Sequence, residues 1–528
     1  MHIPNVARPR WLALAVGLGL LAVLLGVAFC YAQNRGWVFA VTGEEETFSQ
    51  LRGLVQWAFR WTRPLPHTDA DVPVAYANLP PFGINTFLEQ EVDPEKRARS
   101  LQLIADAGFH WIRQEFPWED LEIHGKGDFE DRRHLPHRSA WDKYDHIVDL
   151  AEQHHLEIIA RLSNPPAWSR AAGDANGTYA PPDNFDDYGD YVATVAARYR
   201  GRIRFYQIWN EPNIYPEWGN QPVDPKAYTR LLCLAYNRIK ATDPDAVVIS
   251  GALAPTDQLG TLRPDGGNNL MDVLFLQRMY DAGAGGCFDI LAVNNYMLWS
   301  GPTDRRMRPA LMNFSRPLWV RDVMVANGDA AKPIWITEMN SNTVPEGLPT
   351  NFGRVTEEQQ ARYAVGALER VQREWPWVGV VNVWFFKRAS DQEQNQSWYY
   401  FRLVEPDFTP LPVYESLKDY LTTLEPALYR GYHAADTWQI SYTGSWETED
   451  GLQRGAPGDT LTFAWEGRTL TLFSGAGLVR VSEDGGPDVE ITLHGEPVKL
   501  SRGLLGRRHT LTLTVVSGDV TLRAFQVR

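Results

Sequence analysis

Two glutamates each stand just after an apolar run that predicts a β-strand. Glu211 follows Arg204–Ile208 in Trp-Asn-Glu-Pro-Asn, and Glu338 follows Pro333–Thr337. Two carboxyl groups beside one glycosidic bond can cleave it, because one gives a proton to the leaving oxygen while the other attacks the anomeric carbon. Their separation decides whether the sugar's configuration is retained or inverted. A lone glutamate here often caps a helix or pairs with arginine, but two in similar Trp and Asn settings favour catalysis.

The elements that must position these acids alternate along the chain. Short apolar runs are separated by segments with helical spacing, and Pro follows the capping Asp at Asp93-Pro94 and Asp224-Pro225. Eight predicted strands are Phe82–Asn85, His110–Arg113, Glu157–Arg161, Arg204–Ile208, Val247–Ser250, Ile290–Val293, Pro333–Thr337 and Val378–Phe385. This α/β alternation predicts a (β/α)8 TIM barrel over residues 78–430, with the active site at the carboxyl ends of its strands. Glu211 and Glu338, after the fourth and seventh strands, should meet across the barrel mouth.

The pattern changes to all-β after about residue 432. Leu461, Phe463 and Trp465 alternate with polar residues, and Ser517-Gly518 predicts a turn between strands. This predicts a C-terminal all-β sandwich over residues 436–528. It could bind sugar or cover the end of the barrel, and the pattern does not choose between these roles.

The N-terminus carries a long apolar segment. Trp11–Ala32 has no charge, is about 22 residues long, and follows Arg8 and Arg10. That length spans a bilayer core, and the positive-inside rule places residues 1–10 in the cytoplasm. A cleaved signal peptide is the alternative, but Phe29-Cys30-Tyr31-Ala32 makes a poor cleavage site. We therefore expect an N-terminal transmembrane helix, a single-pass protein of the cell membrane, and a catalytic domain outside the cytoplasm.

Residues 33–77 predict a stem between the membrane segment and the barrel. Apolar residues there recur at helical spacing, namely Leu51, Leu54, Val55, Ala58 and Phe59. The helix could pack on the catalytic domain or lie at the membrane interface. Packing on the catalytic domain is the favoured prediction.

Composition excludes several classes of function. The 65 acidic residues exceed the 51 basic ones, which argues against nucleic-acid binding. Three cysteines are too few for a disulfide framework, and two buried thiols are favoured over a Cys233–Cys287 bridge. No metal or cofactor is predicted, because the close histidines His134, His137, His154 and His155 lack a metal-binding arrangement.

The two acidic motifs resemble those of a known group. Trp209-Asn-Glu-Pro-Asn213 looks like the acid/base motif of clan A glycoside hydrolases, especially family 39, and Ile336-Thr-Glu-Met-Asn340 is similar to their nucleophile motif. The resemblance covers about residues 80–425. It implies a retaining mechanism in which Glu211 is the acid/base and Glu338 the nucleophile, while Asn210 binds the sugar 2-hydroxyl.

The resemblance extends to other positions with less specificity. Arg113 matches a basic residue beside the nucleophile, and Tyr296 matches a tyrosine that donates to it. Asn294 stands where many members of the group carry histidine, which leaves the details of substrate contact open. Trp384 could form a sugar platform or pack in the core. Further candidates for lining subsites are Asn164, Trp168 and Trp118.

Together these features predict a membrane-anchored retaining β-glycosidase that acts on an extracellular oligo- or polysaccharide and needs no cofactor. Two alternatives remain. A surface carbohydrate-binding protein would use the same barrel without turnover, although the presence of both acids and Asn210 argues against it. A transglycosylase would use the same two acids with a sugar acceptor in place of water.

Overall fold

The computed structural model describes residue 31, residues 33–260 and residues 267–528. Its α-helices are α1 Arg35–Thr42, α2 Thr47–Ala58, α3 Pro94–Asp106, α4 Trp118–Leu121, α5 Asp142–Gln153, α6 Phe185–Arg198, α7 Pro225–Thr242, α8 Asp272–Asp281, α9 Pro317–Ala326, α10 Glu357–Glu374 and α11 Pro412–Thr423. Eight strands form the first sheet: β1 Phe82–Thr86, β2 Trp111–Pro117, β3 Glu157–Ser163, β4 Phe205–Ile208, β5 Val247–Ile249, β6 Leu291–Asn294, β7 Ile334–Met339 and β8 Val378–Val383. A short ribbon pairs Glu130–Asp131 with Arg138–Ser139.

The eight strands are parallel and form a nearly closed barrel. Hydrogen bonding runs continuously from β5 through β4, β3, β2, β1, β8 and β7 to β6. Isolated parallel bridges join the two ends, Ile249 to Ile290 and Leu253 to Val293. The predicted TIM-like barrel is therefore confirmed. Its strands are almost entirely buried, as expected where helices cover the outside of a parallel sheet.

Helix starts lie where the sequence places capping residues. The Asp93 side chain accepts from the backbone N–H of Glu95, and Asp224 accepts from those of Lys226 and Ala227. Each cap precedes a proline at the first helical position, which has no N–H to satisfy. Thr356 and Gln359 form a reciprocal capping box at the start of α10. These capping residues therefore determine where each of the three helices begins after its loop.

The C-terminal region is all-β, as predicted. Its strands are β9 Ala427–Leu428, β10 Gly431–Ala434, β11 Ser441–Thr443, β12 Glu447–Glu449, β13 Leu452–Gly455, β14 Thr460–Ser474, β15 Ala476–Glu483, β16 Val489–His494, β17 Val498–Ser517 and β18 Val520–Val527. They join in one ten-stranded sheet that is antiparallel except where β9 meets β14. A sandwich implies two separately bonded sheets, whereas β14 pairs with both β17 and β18 here. Buried side chains including Phe463, Trp465 and Phe525 form a second hydrophobic core.

The prediction of two separate buried thiols is wrong. Cys233 on α7 and Cys287 before β6 form a disulfide. Spacing along the chain does not reveal the distance between the two cysteines, but the barrel packs α7 beside the segment that leads into β6. A pair 54 residues apart in sequence is thereby brought together.

The predicted transmembrane segment Trp11–Ala32 lies outside the described residues except for Tyr31. Within the part of the chain that the structure describes, no helix has the length and apolarity needed to cross a bilayer. The stem helix is present as α2, but it faces the opposite way from the prediction. It turns Gln50 and Gly53 inward and leaves Leu51, Val55 and Phe59 exposed.

Candidate active site

Glu338 lies near the end of β7, among donors from two other strands. Arg113 donates to its Oε1 at 2.8 Å, and the Tyr296 hydroxyl donates to its Oε2. The residue is only 4% exposed, so water competes little for these bonds. One charged and one neutral donor thus hold the Glu338 carboxyl group near the end of β7.

Arg113 connects the end of β7 to three other strands. Its two other donor groups bond Asn210 Oδ1 at 2.9 Å and Gln207 Oε1 at 2.7 Å. The group that reaches Glu338 also donates to Asn85 Oδ1 at 2.8 Å. Burial lowers the pKa of Arg113, and the opposite charge of Glu338 acts against that shift. The guanidinium fork therefore fixes the positions of the carboxylate and of Asn210 together.

Glu211 follows β4 in a strained stretch of backbone. Trp209 has φ +76° and Glu211 has φ +34°, values that residues with a side chain rarely adopt. The Glu211 carboxyl is partly buried and accepts a 2.7 Å hydrogen bond from Asn294 Nδ2. The turn thus places the side chain against Asn294 of β6, and strain of this kind is concentrated at functional sites.

The environment of Glu211 favours its protonated form. Burial first, and then the negative charges of Glu338 and Glu217, raise its pKa to about 8. The hydrogen bond from Asn294 and the charge of Arg113 act in the opposite direction. A carboxyl with this pKa keeps its proton at neutral pH and can donate it, as a general acid must.

Asn294 links the two acids. It lies on β6 opposite Glu338 of β7, and the backbone N–H of Asn295 donates to the Glu338 carbonyl at 2.8 Å. The Thr337 hydroxyl donates to Asn294 Oδ1 at 2.8 Å, so the amide turns its N–H group toward Glu211. Asn294 therefore bonds Glu211 through its side chain and lies opposite Glu338 in the sheet, and the charge of Glu338 raises the pKa of Glu211.

Two aromatic candidates also lie at the mouth. Tyr296 is partly exposed and packs against Phe401 at 5.2 Å between ring centroids, while burial raises its pKa well above the ordinary value. Trp384 follows β8 and is partly exposed, and its carbonyl accepts from Asn340 at 2.7 Å. Both rings keep surface that a ligand in the mouth can touch.

The remaining tryptophan candidates differ in exposure. Trp118 has no exposed surface, because it stacks on Tyr191 and donates to Glu122, so its prediction as a subsite residue has no support here. Trp168 is partly exposed and packs edge-on against Trp118 at 5.5 Å. Asn164 is partly exposed at the end of β3, with φ +57°.

Glu217 lies beside the candidate site, and the sequence analysis did not predict it. The Asn210 side chain hydrogen-bonds Glu217, whose pKa burial raises to about 7. Glu115 forms a 2.5 Å ion pair with Arg161, and burial also raises the pKa of Glu119 to about 7. Glu217 lies in an irregular loop after the Asn-Glu-Pro motif, where no periodic pattern identifies a site residue. Among the described residues, no group of three or more potential ligands could hold a metal ion.

Parts of this chain are similar to known proteins. Residues 73–274 match the family model for cellulase, glycosyl hydrolase family 5. A family 39 glycoside hydrolase from the gut symbiont Bacteroides cellulosilyticus WH2 is 17% identical and covers 84% of this chain and 83% of its own, with a TM-score of 0.50. A family 39 beta-xylosidase from Caulobacter crescentus is 16% identical and covers 85% of this chain and 98% of its own, with a TM-score of 0.46.

One curated sequence relative is a 6-phospho-beta-glucosidase from Clostridium longisporum. It is 27% identical over 113 residues, which is 21% of this chain and 22% of the relative. The match thus spans about a fifth of that protein's length.

The barrel fold and the family match over its first half point to the same class of protein. These findings support a clan A glycoside hydrolase, with the family match covering residues 73–274.

Proposed function

We propose that this protein is a retaining β-glycosidase with Glu338 as nucleophile and Glu211 as acid/base. The observation that carries the proposal is the contrast between the two carboxyl groups. Glu338 receives a charged donor from Arg113 and a hydroxyl from Tyr296, whereas burial and neighbouring charge raise the pKa of Glu211 to about 8. A partly buried acid with a raised pKa, beside a carboxyl group that an arginine and a tyrosine bind, suits the two roles of a double displacement.

In the first step, a Glu338 oxygen attacks the anomeric carbon and forms an ester. The bond to the leaving oxygen breaks as Glu211 transfers its proton there. In the second step, the Glu211 carboxylate takes a proton from water, the water oxygen attacks the same carbon, and the ester bond breaks to restore Glu338. Asn210, held by Arg113, would bind the 2-hydroxyl, where a hydrogen bond strengthens in the transition state.

The proposed substrate is a β-linked oligo- or polysaccharide outside the cytoplasm. Trp384, Trp168 and Asn164 are partly exposed at the ends of barrel strands or just beyond them, where rings and amides can bind successive sugars. The uncharged run Trp11–Ala32 supports anchoring in the cell membrane with residues 1–10 in the cytoplasm. The C-terminal β domain would be carried on the same side of the membrane.

The matched pair Glu211→Gln and Glu338→Gln tests the proposal against a non-catalytic sugar-binding protein. Both should lose turnover of aryl β-glycosides that have poor leaving groups, while retaining sugar binding. On an aryl glycoside with a poor leaving group, Glu211→Gln should lower the rate of glycoside cleavage by about 10²–10⁴-fold. The rate should fall far less on a dinitrophenyl glycoside, because that leaving group departs without a proton. Glu119→Gln, outside the proposed pair, is the control. A wild-type protein that binds sugars without turning over any glycoside would contradict the proposal.

Transglycosylation is the second candidate, because the ester on Glu338 can be taken by a sugar hydroxyl as readily as by water. Product analysis at rising acceptor concentration separates the two reactions. Hydrolysis yields free reducing sugar at all concentrations, whereas a transglycosylase yields longer glycosides at the expense of free sugar.

A further inference from the structure

Helix α2 presents its apolar face to the outside of the protein. Phe48, Leu51, Val55 and Phe59 fall on one side at spacings of three and four, and Phe48 is 88% and Val55 60% exposed. A helix on the surface of a globular domain ordinarily buries this face. Here Leu51 and Phe59 are about half exposed, with Arg308 over the Phe59 ring at 5.8 Å, and the described residues leave most of Phe48 and Val55 uncovered.

The inward side of α2 explains this orientation. Gln50 is buried and donates to the Glu44 carbonyl at 2.7 Å, and Gln56 accepts from Arg306 at 3.0 Å. A Cβ atom on Gly53 would lie 2.9 Å from Thr42 Cγ2, so the glycine allows α1 and α2 to approach closely. The polar side of α2 therefore makes specific contacts with the rest of the protein. Rotating the helix to bury its apolar side would break these contacts.

The stem is attached beside the candidate active site. Glu44 pairs with Arg306 at 2.8 Å, and Glu45 pairs with Arg362 at 2.9 Å. The backbone of Gly301 donates to Gly43. Gly301 and Arg306 lie on the loop that follows Tyr296, and Arg362 lies on α10, which begins after the β7 loop. The exposed apolar face thus lies on the β6–β7 side of the barrel.

Aromatic and basic residues surround the exposed face. Trp61 is 72% exposed, and the Trp57 ring contacts Trp37 and Trp61 edge-on at 5.6 and 5.3 Å. Residues 47–62 contain Arg52 and Arg60 and no acid, and Arg63 comes next. Tryptophan rings and arginines around an apolar helix face are typical of a helix lying in the headgroup region of an anionic bilayer.

The position of the apolar run Trp11–Ala32 indicates that a lipid bilayer contacts the exposed face of α2. The run ends three residues before α1 begins at Arg35, a span of about 11 Å at most. If the run crosses a bilayer, as the proposed function holds, the membrane surface must lie beside the stem. We infer that the exposed face of α2, namely Phe48, Leu51, Val55 and Phe59, lies in the interface of an anionic lipid bilayer and holds the β6–β7 side of the barrel against the membrane.

Depth measurement on the full chain tests this inference. Since Cys233 and Cys287 form a disulfide, Cys30→Ser leaves no free thiol, and a nitroxide can be attached at Val55→Cys. Asp281→Cys, at the exposed end of α8, is the matched control. The labelled chain is reconstituted into liposomes of phosphatidylcholine and phosphatidylglycerol. Intact mass of the recovered protein, and its resistance to carbonate extraction, establish that residues 11–32 are retained and anchored.

The inference predicts that the label at position 55 collides more with oxygen than with a water-soluble nickel chelate, and that the label at position 281 does the reverse. Equal nickel access at both positions overturns it. So does strong dipolar coupling between two labels at position 55, which would show a second copy on the face. Low access to both reagents would show that protein covers the face, and also overturns it.

A variant separates this inference from the proposed function. Replacing Phe48, Leu51, Val55 and Phe59 by serine should leave turnover of a soluble aryl glycoside unchanged. In the same liposomes, a nitroxide at Ser49→Cys should gain at least tenfold in nickel collision rate relative to the unsubstituted face. No gain would overturn the interfacial role, whereas absence of turnover in both proteins would contradict only the glycosidase proposal.

Discussion

Asn294 Nδ2 donates a 2.7 Å hydrogen bond to Glu211 Oε1, and this contact opposes the rise in the acid's pKa. Burial and the charge of Glu338 favour the protonated acid, while the amide favours the carboxylate. An acid/base residue must be protonated in the first step and ionised in the second. The Asn294 contact therefore balances the two steps.

Asn294→Ala should raise the pKa of Glu211 further. Loss of a hydrogen bond to a charged group is worth about 1.5–3 kcal/mol, so the basic limb of the kcat/KM profile should move up by about one to two pH units. The profile on an aryl glycoside with a poor leaving group measures this directly. Because the acids interact, the fitted values belong to the pair. An unchanged basic limb would contradict the assigned contact.

Thr337→Val should produce a smaller shift in the same direction. The hydroxyl that holds Asn294 Oδ1 at 2.8 Å is lost while the side-chain shape is kept, so the amide is free to turn away from Glu211. Thr337→Ser retains the hydroxyl and serves as the control. If Thr337→Val had the same pH profile of kcat/KM as Thr337→Ser, the Thr337 hydroxyl would not orient the Asn294 amide.

Arg113→Met should destabilise the protein as well as abolish turnover. It removes the donors of Glu338, Asn210, Gln207 and Asn85 at once. Breaking a buried ion pair costs about 3–5 kcal/mol, measured as the loss in free energy of unfolding in urea. Arg113→Lys should keep more stability but little activity, since one ammonium cannot reproduce the fork. A methionine variant of wild-type stability would contradict this network.

Glu211→Gln should be more stable than wild type at alkaline pH. Burial and the charge of Glu338 raise the pKa of Glu211 from 4.5 to about 8, so the folded state binds a proton that the unfolded chain has released between these values. The free energy of unfolding of the wild type should therefore fall as pH rises through this window. The variant should lose that part of the slope. Urea titrations at pH 5 and pH 8 test it, and identical slopes would contradict it.

Removal of the Cys233–Cys287 bridge should destabilise the fold without changing the site. The cysteines are 54 residues apart, for which loop-closure entropy gives about 4 kcal/mol. Cys233→Ser with Cys287→Ser should show this loss in urea, while KM on a soluble substrate stays unchanged. Cys30→Ser is the control.

The sequence predicted the eight barrel strands because each is a short apolar run between helical patterns. Glu211 and Glu338 could be proposed as site residues because parallel strands present their carboxyl ends on one side. The burial of Trp118 could not be predicted, because aromatic residues occur both in protein cores and in sugar-binding platforms. Glu217 was missed because an irregular loop has no period. The predicted orientation of α2 was wrong because apolar residues at helical spacing identify one side of a helix but do not show what that side contacts.

Trapping the glycosyl-enzyme tests the central claim most directly. A 2-deoxy-2-fluoro glycoside with an activated leaving group slows breakdown of the ester more than its formation, so a retaining enzyme accumulates the adduct. Peptide mapping by mass spectrometry should place one fluorosugar on Glu338, and Glu338→Gln should take up none. A label on another residue, or turnover that first releases an α-configured sugar from a β-substrate with no adduct, would contradict the double displacement.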